Sequence, residues 1–313
     1  MKKLNVILHY RHFPIAMGRY IHWGLENLGH KVYSVGEYSG GKIPWGDQYY
    51  YPNHKMPPTR ILPAQERYPI WDVLRRARID GFDPDVVIQA GDVCFLEGKA
   101  DVPNIIIGTD PHCIDYHPRL LNADYFVSMQ HYYLKDYPQG IWMPYGYDKD
   151  IHIPLRDIKK RYEVVFCGLQ YSQRLAVLDE VKRKGVRTFI GMGLIYDDYV
   201  KVYNKGDIAF NWSSQLDLPA RFWEALAMKR CLITNRVPDM TQFPELIDGV
   251  DYIGFDTHDE AVEKILHYAK HPQETKKIAL SGYKKLLKGK HTYTDRLEKM
   301  LDQVGLCRKM PLR

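Results

Sequence analysis

Residues 218 to 235 read LPARFWEALAMKRCLITN, and this stretch decides the fold. Pro219 suits the first turn of a helix, Ala220 to Met228 are mostly good helix formers, and Cys231 to Thr234 read as a short buried strand. A helix therefore feeds a strand. Within the helix, Glu224 interrupts an apolar run one turn after Arg221. Residues three apart share a helix face, and the unpaired N–H groups of a helix start favour an anionic ligand such as a phosphate. A surface Arg–Glu ion pair has the same spacing, so these residues alone leave both readings open.

Working outward, the same alternation repeats. Upstream, RYEVVFCG (161–168) is a strand, SQRLAVLDEVKRKG (172–185) a helix, VRTFIGMG (186–193) a strand, IYDDYVKVYNKG (195–206) a helix and DIAFNWSS (207–214) a strand. Downstream come PDMTQFPELI, the short strand DYIGF (251–255) and the helices DEAVEKILHYAKH and ETKKIALSGYKKLLK. The first half opens with LNVILHY (4–10) as a buried strand, the loop RHFPIAMG, an amphipathic helix RYIHWGLENLGH whose end Gly29 marks, and the strand KVYSV. Residues 40–70, rich in Pro, Gly and Tyr without periodicity, read as a long connection. Order resumes with IWDVLRRARIDG as a helix, PDVVIQAG and PNIIIGTD as strands, LLNADYFVSM as a helix-to-strand passage and GIWMPYGYD as a last strand.

Strands joined through helices are parallel, so the class is α/β. The turn-rich YGYDKDIHIPLRDIKKR (145–161) is the natural border. The expected architecture is two Rossmann-like, doubly wound domains, 1–148 and 149–313, facing across a cleft, with ligands at the C-terminal ends of the strands.

Bulk properties narrow the function classes. A chain of 313 residues that is 45% apolar has room for two cores. No segment approaches the roughly eighteen apolar residues of a membrane span, and MKKLNVILHYRHF has no long apolar signal region, so the expectation is a soluble, cytoplasmic protein. Five scattered cysteines without a CxxC pattern indicate neither a disulfide framework nor a structural zinc. The net charge of +6 is compatible with anionic substrates and too small to establish nucleic-acid binding. Much of it falls in KKIALSGYKKLLKGKHTYTDRLEKM, which reads as a solvated helix face. The 24 tyrosines and 6 tryptophans suit stacking on flat or sugar-like ligands, and equally an aromatic core.

YEVVFCGLQYSQR, IYDDYVKVYNKGDIAFNWSS, ARFWEALAMKRCLITNRVPDMTQFPELIDGVDYIGF and HTYTDR (291–296) follow one another in an order that resembles the C-terminal domain of CgeB-like, spore-maturation-type glycosyltransferases, relatives of the large retaining group with the GT-B fold. The first half resembles them only through LENLGHKV and MPYGYDKDIHIP. The resemblance implies transfer of a sugar from a nucleoside diphosphate, UDP for example, to an acceptor hydroxyl, without a cofactor or an obligatory metal. It implies that Glu224 accepts hydrogen bonds from the donor ribose, and that Arg221 and Arg174 face the diphosphate with Gly168, Ser213 and Ser214. Two departures stand out. Retaining relatives carry a second glutamate where this chain has Leu216, and they favour glycine where it has Lys229, at a cost of about 1 kcal/mol if the backbone there is left-handed.

On the acceptor side the densest cluster is TDPHCIDYHP, directly after the strand IIIG. Transfer needs the acceptor hydroxyl polarised or deprotonated, and Asp110 and His112 are the first candidates, with Asp115 as base or orienter. Asp110 as a turn starter is the plainer alternative, and a metal site is a further one. In the loop HYRHFPIAMGR, His12, Gly18 and Arg19 either line the cleft or pack at a strand end. A glycan, a protein, a metabolite or a hydroxylated base in DNA all remain open as acceptor. The aromatic-rich IPWGDQYYYPNHKMPP favours the last a little. The rival class is a catalytically degenerate binding or structural protein on the same fold.

Overall fold

The computed structural model describes residues 2–43, 46–50, 56–91, 94–213 and 215–306, and they form two compact units, Met1–Pro144 with Tyr293–Arg313, and Tyr145–Thr292. The first unit begins with β1 (Asn5–His9), α1 (Gly18–Asn27) and β2 (Lys31–Gly36). Four short strands follow, β3 (Lys42–Ile43), β4 (Gly46–Tyr50), β5 (Arg60–Ile61) and β6 (Arg67–Pro69), so the expected long connection is partly built from edge strands. Then come α2 (Ile70–Ile79), β7 (Val86–Ala90), β8 (Phe95–Glu97), β9 (Asn104–Gly108), α3 (His117–Leu120), β10 (Tyr125–Ser128) and β11 (Ile141–Trp142).

The strands order as β11-β10-β9-β7-β1-β2-β5, every neighbouring pair parallel. The central strands VVIQA and NIIIG are buried along their whole length, as a sheet covered on both faces requires. On one face Ile7, Val35 and Val87 pack with Val73, Leu74 and Ala77 of α2. Two expectations differ in detail. The helix near LLNADYFVSM lies upstream of it, at His117–Leu120, and only two residues of GIWMPYGYD pair as a strand, because β11 is an edge with a single partner.

The second unit runs β12 (Tyr162–Cys167), α4 (Ser172–Arg183), β13 (Thr188–Gly191), α5 (Tyr196–Asn204), β14 (Gly206–Asn211), α6 (Ala220–Ala227), β15 (Cys231–Asn235), β16 (Ile253–Phe255), α7 (His258–Lys270) and α8 (Pro272–Lys288). PDMTQFPELI holds a short 3-10 turn, Pro238–Gln242. The parallel order is β13-β12-β14-β15-β16. Val164, Phe166, Ile208, Phe210 and Ile233 face Val177, Leu178 and Val181 of α4 and Ile265 of α7. Helices α5 and α6 pack against the same strands.

The last helix, α9 (Tyr293–Gln303), departs from the expected division of the chain at 148/149. It packs on α1: a Cβ at Gly24 would sit 2.5 Å from Leu297 Cδ1, and Tyr293 stacks on Tyr20 with ring centroids 4.9 Å apart. The HTYTDR segment is thereby divided between units. His291 stacks on Trp223 of α6 at 4.8 Å, whereas Tyr293 onward belongs with the first unit.

Helices α1 and α6 end in the same way, as do α2, α4 and α9. After α1, Gly29 N–H bonds to Glu26 O and His30 N–H to Leu25 O; after α6, Lys229 N–H bonds to Leu226 O and Arg230 N–H to Ala225 O. Both are Schellman ends, which need a left-handed residue. Gly29 takes it at φ 79°, and Lys229 takes it at φ 57°. A lysine stands in the backbone conformation that glycine adopts without strain.

Candidate functional site

In the second unit the strand order reverses between β12 and β14, and ligands of open α/β sheets bind at such switch points, beyond the strands' C-terminal ends. Gly168 follows β12, and Asn211, Trp212 and Ser213 end or follow β14. Arg221, from the first turn of α6, reaches into this place. Its Nε donates to Cys167 O at 3.1 Å and its Nη1 to Asn211 Oδ1 at 2.8 Å, while its guanidinium carbon lies 5.0 Å from the Phe166 ring centroid. A Cβ built at Gly168 would stand 2.1 Å from Nη2, so only glycine leaves that room.

Arg174 converges on the same ring from α4, with its guanidinium carbon 5.7 Å from the Phe166 centroid. It is buried, and it donates from Nε to Trp212 O at 2.5 Å and from Nη1 to Leu169 O at 2.8 Å. One cation thus ties the loop after β12 to the loop after β14. Burial first, and the like charge of Arg221 next, lower its pKa to about 10; it remains charged at neutral pH. Beside it, Ser213 is 3% exposed, its N–H donates to Asn235 Oδ1 at 2.7 Å, and its hydroxyl has no hydrogen-bond partner among the described residues. An unsatisfied buried hydroxyl costs about 1–3 kcal/mol. Ser214 lies outside the described residues.

Glu224 is 8% exposed. Tyr199 OH donates to its Oε2 at 2.6 Å, and His152 Nε2 lies 3.5 Å from its Oε1. His152 Nδ1 accepts from Asp148 N–H at 3.0 Å, so in the neutral ring the proton sits on Nε2, toward the carboxylate. Burial, followed by the charge of Glu224, holds the Tyr199 phenol well above its usual range, and it stays a donor. Tyr203, one turn on, accepts from Cys167 N–H at 3.3 Å, and burial pushes its phenol up to about 12. No ion pair joins Arg221 to Glu224 among the described residues. The surface-pair reading fails, because Glu224 is buried, Arg221 is half-buried, and each is held by partners of its own.

Sequence reasoning singled out Gly168, Arg174, Ser213, Arg221 and Glu224, and the fold gathers them around one sheet end. It passed over Asn211, Asn235, Tyr199 and His152, which hold them there. The available signal was small: polar residues closing two otherwise apolar strands, and two tyrosines four apart on one helix face.

The acceptor-side candidates all lie in the first unit, after β9. Asp110 starts a turn, its carbonyl accepting from Cys113 N–H at 2.9 Å and Ile114 N–H at 3.0 Å, and its carboxylate accepts from Thr109 Oγ1 at 2.9 Å. His112 Nδ1 is buried without a partner among the described residues, with its ring centroid 5.6 Å from that of Tyr133. Asp115 is exposed and engaged with His117, through its N–H at 3.0 Å and its ring at 2.8 Å. Those bonds hold the Asp115 carboxyl below its usual range and raise His117. Among the described residues no three His, Cys, Asp or Glu side chains converge to hold a metal.

His12, in the loop after β1, and Arg19, in the first turn of α1, are buried. Gly18 lets α1 approach the ring of Tyr10, since a Cβ there would meet Tyr10 Cγ at 2.2 Å. Of IPWGDQYYYPNHKMPP, residues 44, 45 and 51–55 lie outside the described residues. None of the described helices is long and apolar enough to cross a membrane.

Residues 153–302 match a family model described as glycosyl transferase-like. No curated protein matches the chain. Among solved structures, a glycosyltransferase from Rickettsia africae is similar at TM-score 0.62 and 13% identity, covering 97% of this chain and 98% of that one. The HepE protein of Anabaena in complex with UDP-glucose aligns at TM-score 0.62 and 10% identity, over 96% of this chain and 99% of that one. An alpha-glucosyltransferase in complex with UDP and a 13-mer DNA containing a central A:G mismatch aligns at TM-score 0.61 and 11% identity, over 97% and 100%. The fold is that of the GT-B glycosyltransferases, and the glycosyl transferase-like family match falls in its second half.

Proposed function

We propose that this protein transfers a sugar from a nucleoside diphosphate to an acceptor hydroxyl. The observation that carries the reading is the gathering of Arg221, Arg174, the partnerless Ser213 hydroxyl and Gly168 at the switch point of the second sheet, with Glu224 on the same helix as Arg221. In the reaction the acceptor oxygen bonds to the anomeric carbon as the bond from that carbon to the diphosphate breaks. Negative charge then grows on the leaving diphosphate, and preorganised cations and N–H or O–H donors stabilise it. Arg221 Nη2, Arg174 and Ser213 Oγ supply those groups.

Glu224, with Oε2 already held by Tyr199, accepts from the ribose hydroxyls through its remaining lone pairs. Charge-assisted bonds of this kind are the strong ones. UDP is the first nucleotide to test, since the similar HepE structure holds UDP-glucose. The acceptor's proton passes to a base of the first unit, for which Asp110 and His112 are the candidates, and Asp115 orients His117. Hydroxylated DNA stands among the acceptors to test because one similar structure holds DNA. Within the glycosyltransferases we place the chain with the CgeB-like group, on the segments quoted above.

Thermal unfolding with a panel of nucleotide sugars, repeated on Glu224→Ala, tests the proposal. Ligand at 100 times Kd stabilises by about 2.7 kcal/mol. A selective upward shift that the variant loses supports it. No shift with any donor moves the weight to a binding protein on the same fold.

A further inference from the structure

We propose that the second unit carries a separate anion site at the N-terminal end of its sheet, opposite the Arg221 cluster, and that its ligand is a small molecule bearing three or more phosphate groups. The inference is independent of the glycosyl-transfer reading. Six residues of β14 separate the two ends, roughly 17 Å at ~3.3 Å per residue.

A cavity of about 590 Å3 opens there, lined among others by Arg156, Lys160, Lys229, Arg230, Lys276 and Tyr283. That size is in the range of small-molecule sites. Asp207 is the one carboxylate among the described lining residues, and Lys160 Nζ already pairs with it at 3.1 Å. Arg156, Lys229, Arg230 and Lys276 have no ion pair among the described residues.

A solvated helix face would carry its cations on one helix and spread them toward water. These five come from three separate segments: the loop before β12, the turn after α6, and α8. Their placement is also fixed. Arg230 donates from Nε to Met228 O at 2.9 Å and from Nη1 to Gly206 O at 2.6 Å, so its guanidinium is locked with Nη2 left over. Lys229 enters the cavity wall from a left-handed backbone, where glycine would be relaxed. The crowding shows in the titration of the group. Burial first and Arg230 next lower Lys160 to about 8, and burial lowers Arg230 to about 10. A multiply charged anion would relieve that repulsion and meet several donors at once, and phosphates match such a donor set.

Isothermal titration of the full chain with sodium tripolyphosphate, at constant ionic strength, tests the site. One saturable site is expected that saturating UDP does not displace and that the Lys229→Glu, Lys276→Glu double variant weakens at least tenfold. Lys229→Gly separates loss of the site from loss of the fold: it should weaken binding several-fold without lowering Tm. Comparing tripolyphosphate with ATP, UDP being present, distinguishes the source: tighter ATP binding assigns the phosphates to a nucleotide, and equal or weaker binding to a free polyphosphate. The absence of saturable binding, displacement by UDP, or binding that the double variant retains would overturn the proposal.

Discussion

The guanidinium of Arg221 fills the space that a side chain at position 168 would need: a Cβ on Gly168 would come within 2.1 Å of Nη2. The glycine and the arginine are therefore one device. Gly168→Ala should displace Arg221 from Cys167 O and Asn211 and weaken UDP-sugar binding at least tenfold, about 1.4 kcal/mol. Titration calorimetry reads the effect; unchanged affinity would detach Arg221 from the donor.

Tyr199 and Glu224 make a short bond from a neutral donor to a charged acceptor. Bonds to charged groups contribute about 1.5–3 kcal/mol. Tyr199→Phe should lower the unfolding free energy by an amount in that range. Tyr203→Phe, which loses a 3.3 Å bond from Cys167 N–H and a contact with the Tyr199 hydroxyl but none to a charged group, should cost less than about 1.5 kcal/mol. Urea midpoints of the two variants give the comparison, and equal losses would show that the carboxylate does not depend on Tyr199.

Lys229→Gly should stabilise. Relief of a left-handed side chain is worth about 1 kcal/mol, and that corresponds to roughly 2–4 °C in Tm for a unit of this size. A fall in Tm on scanning calorimetry would mean that the lysine side chain contributes packing that outweighs its backbone strain.

His9 and His12 are buried, and burial holds both near a pKa of about 3. Their unfolded value is about 6.5. Between these values the unfolded chain binds protons that the folded chain does not, so stability is full above about pH 6.5 and is lost as pH falls toward 3. The two together give a slope of up to about 2.7 kcal/mol per pH unit. Chemical denaturation from pH 7 to pH 4.5 should show His12→Asn with a slope shallower by about one proton; an unaltered slope would mean that His12 is protonated in the fold.

The alternation of strands and helices was legible because parallel strands buried on both faces read as continuous apolar runs, as VVIQA and VVFC do. Arg221 and Glu224 were legible as a pair and illegible in their partners. Spacing gives the shared face, but nothing local tells that Tyr199, 25 residues earlier, claims the carboxylate, or that Asn211 claims the guanidinium. Asp115 read as a base and is held by His117, a local contact that any Asp two residues before a helix start can make. The helix Tyr293–Gln303 was not read as one, its residues being taken with a solvated basic stretch, although Tyr293, Leu297, Met300 and Leu301 form a buried apolar stripe. A stripe says that a face is covered and is silent on what covers it, and α1, more than 260 residues away in the chain, was beyond that reach.

That last packing also sets an order of assembly. On the ribosome, α1 emerges with the rest of Met1–Pro144, but the helix that covers it arrives only after the whole of Tyr145–Thr292 has been made. At ~5–20 residues per second, about 150 intervening residues take roughly 8–30 s. Through that interval the first unit waits with the α1 face around Tyr20 and Gly24 uncovered, while the second unit is free to finish. The later-made half of the chain is the first that can close its own core.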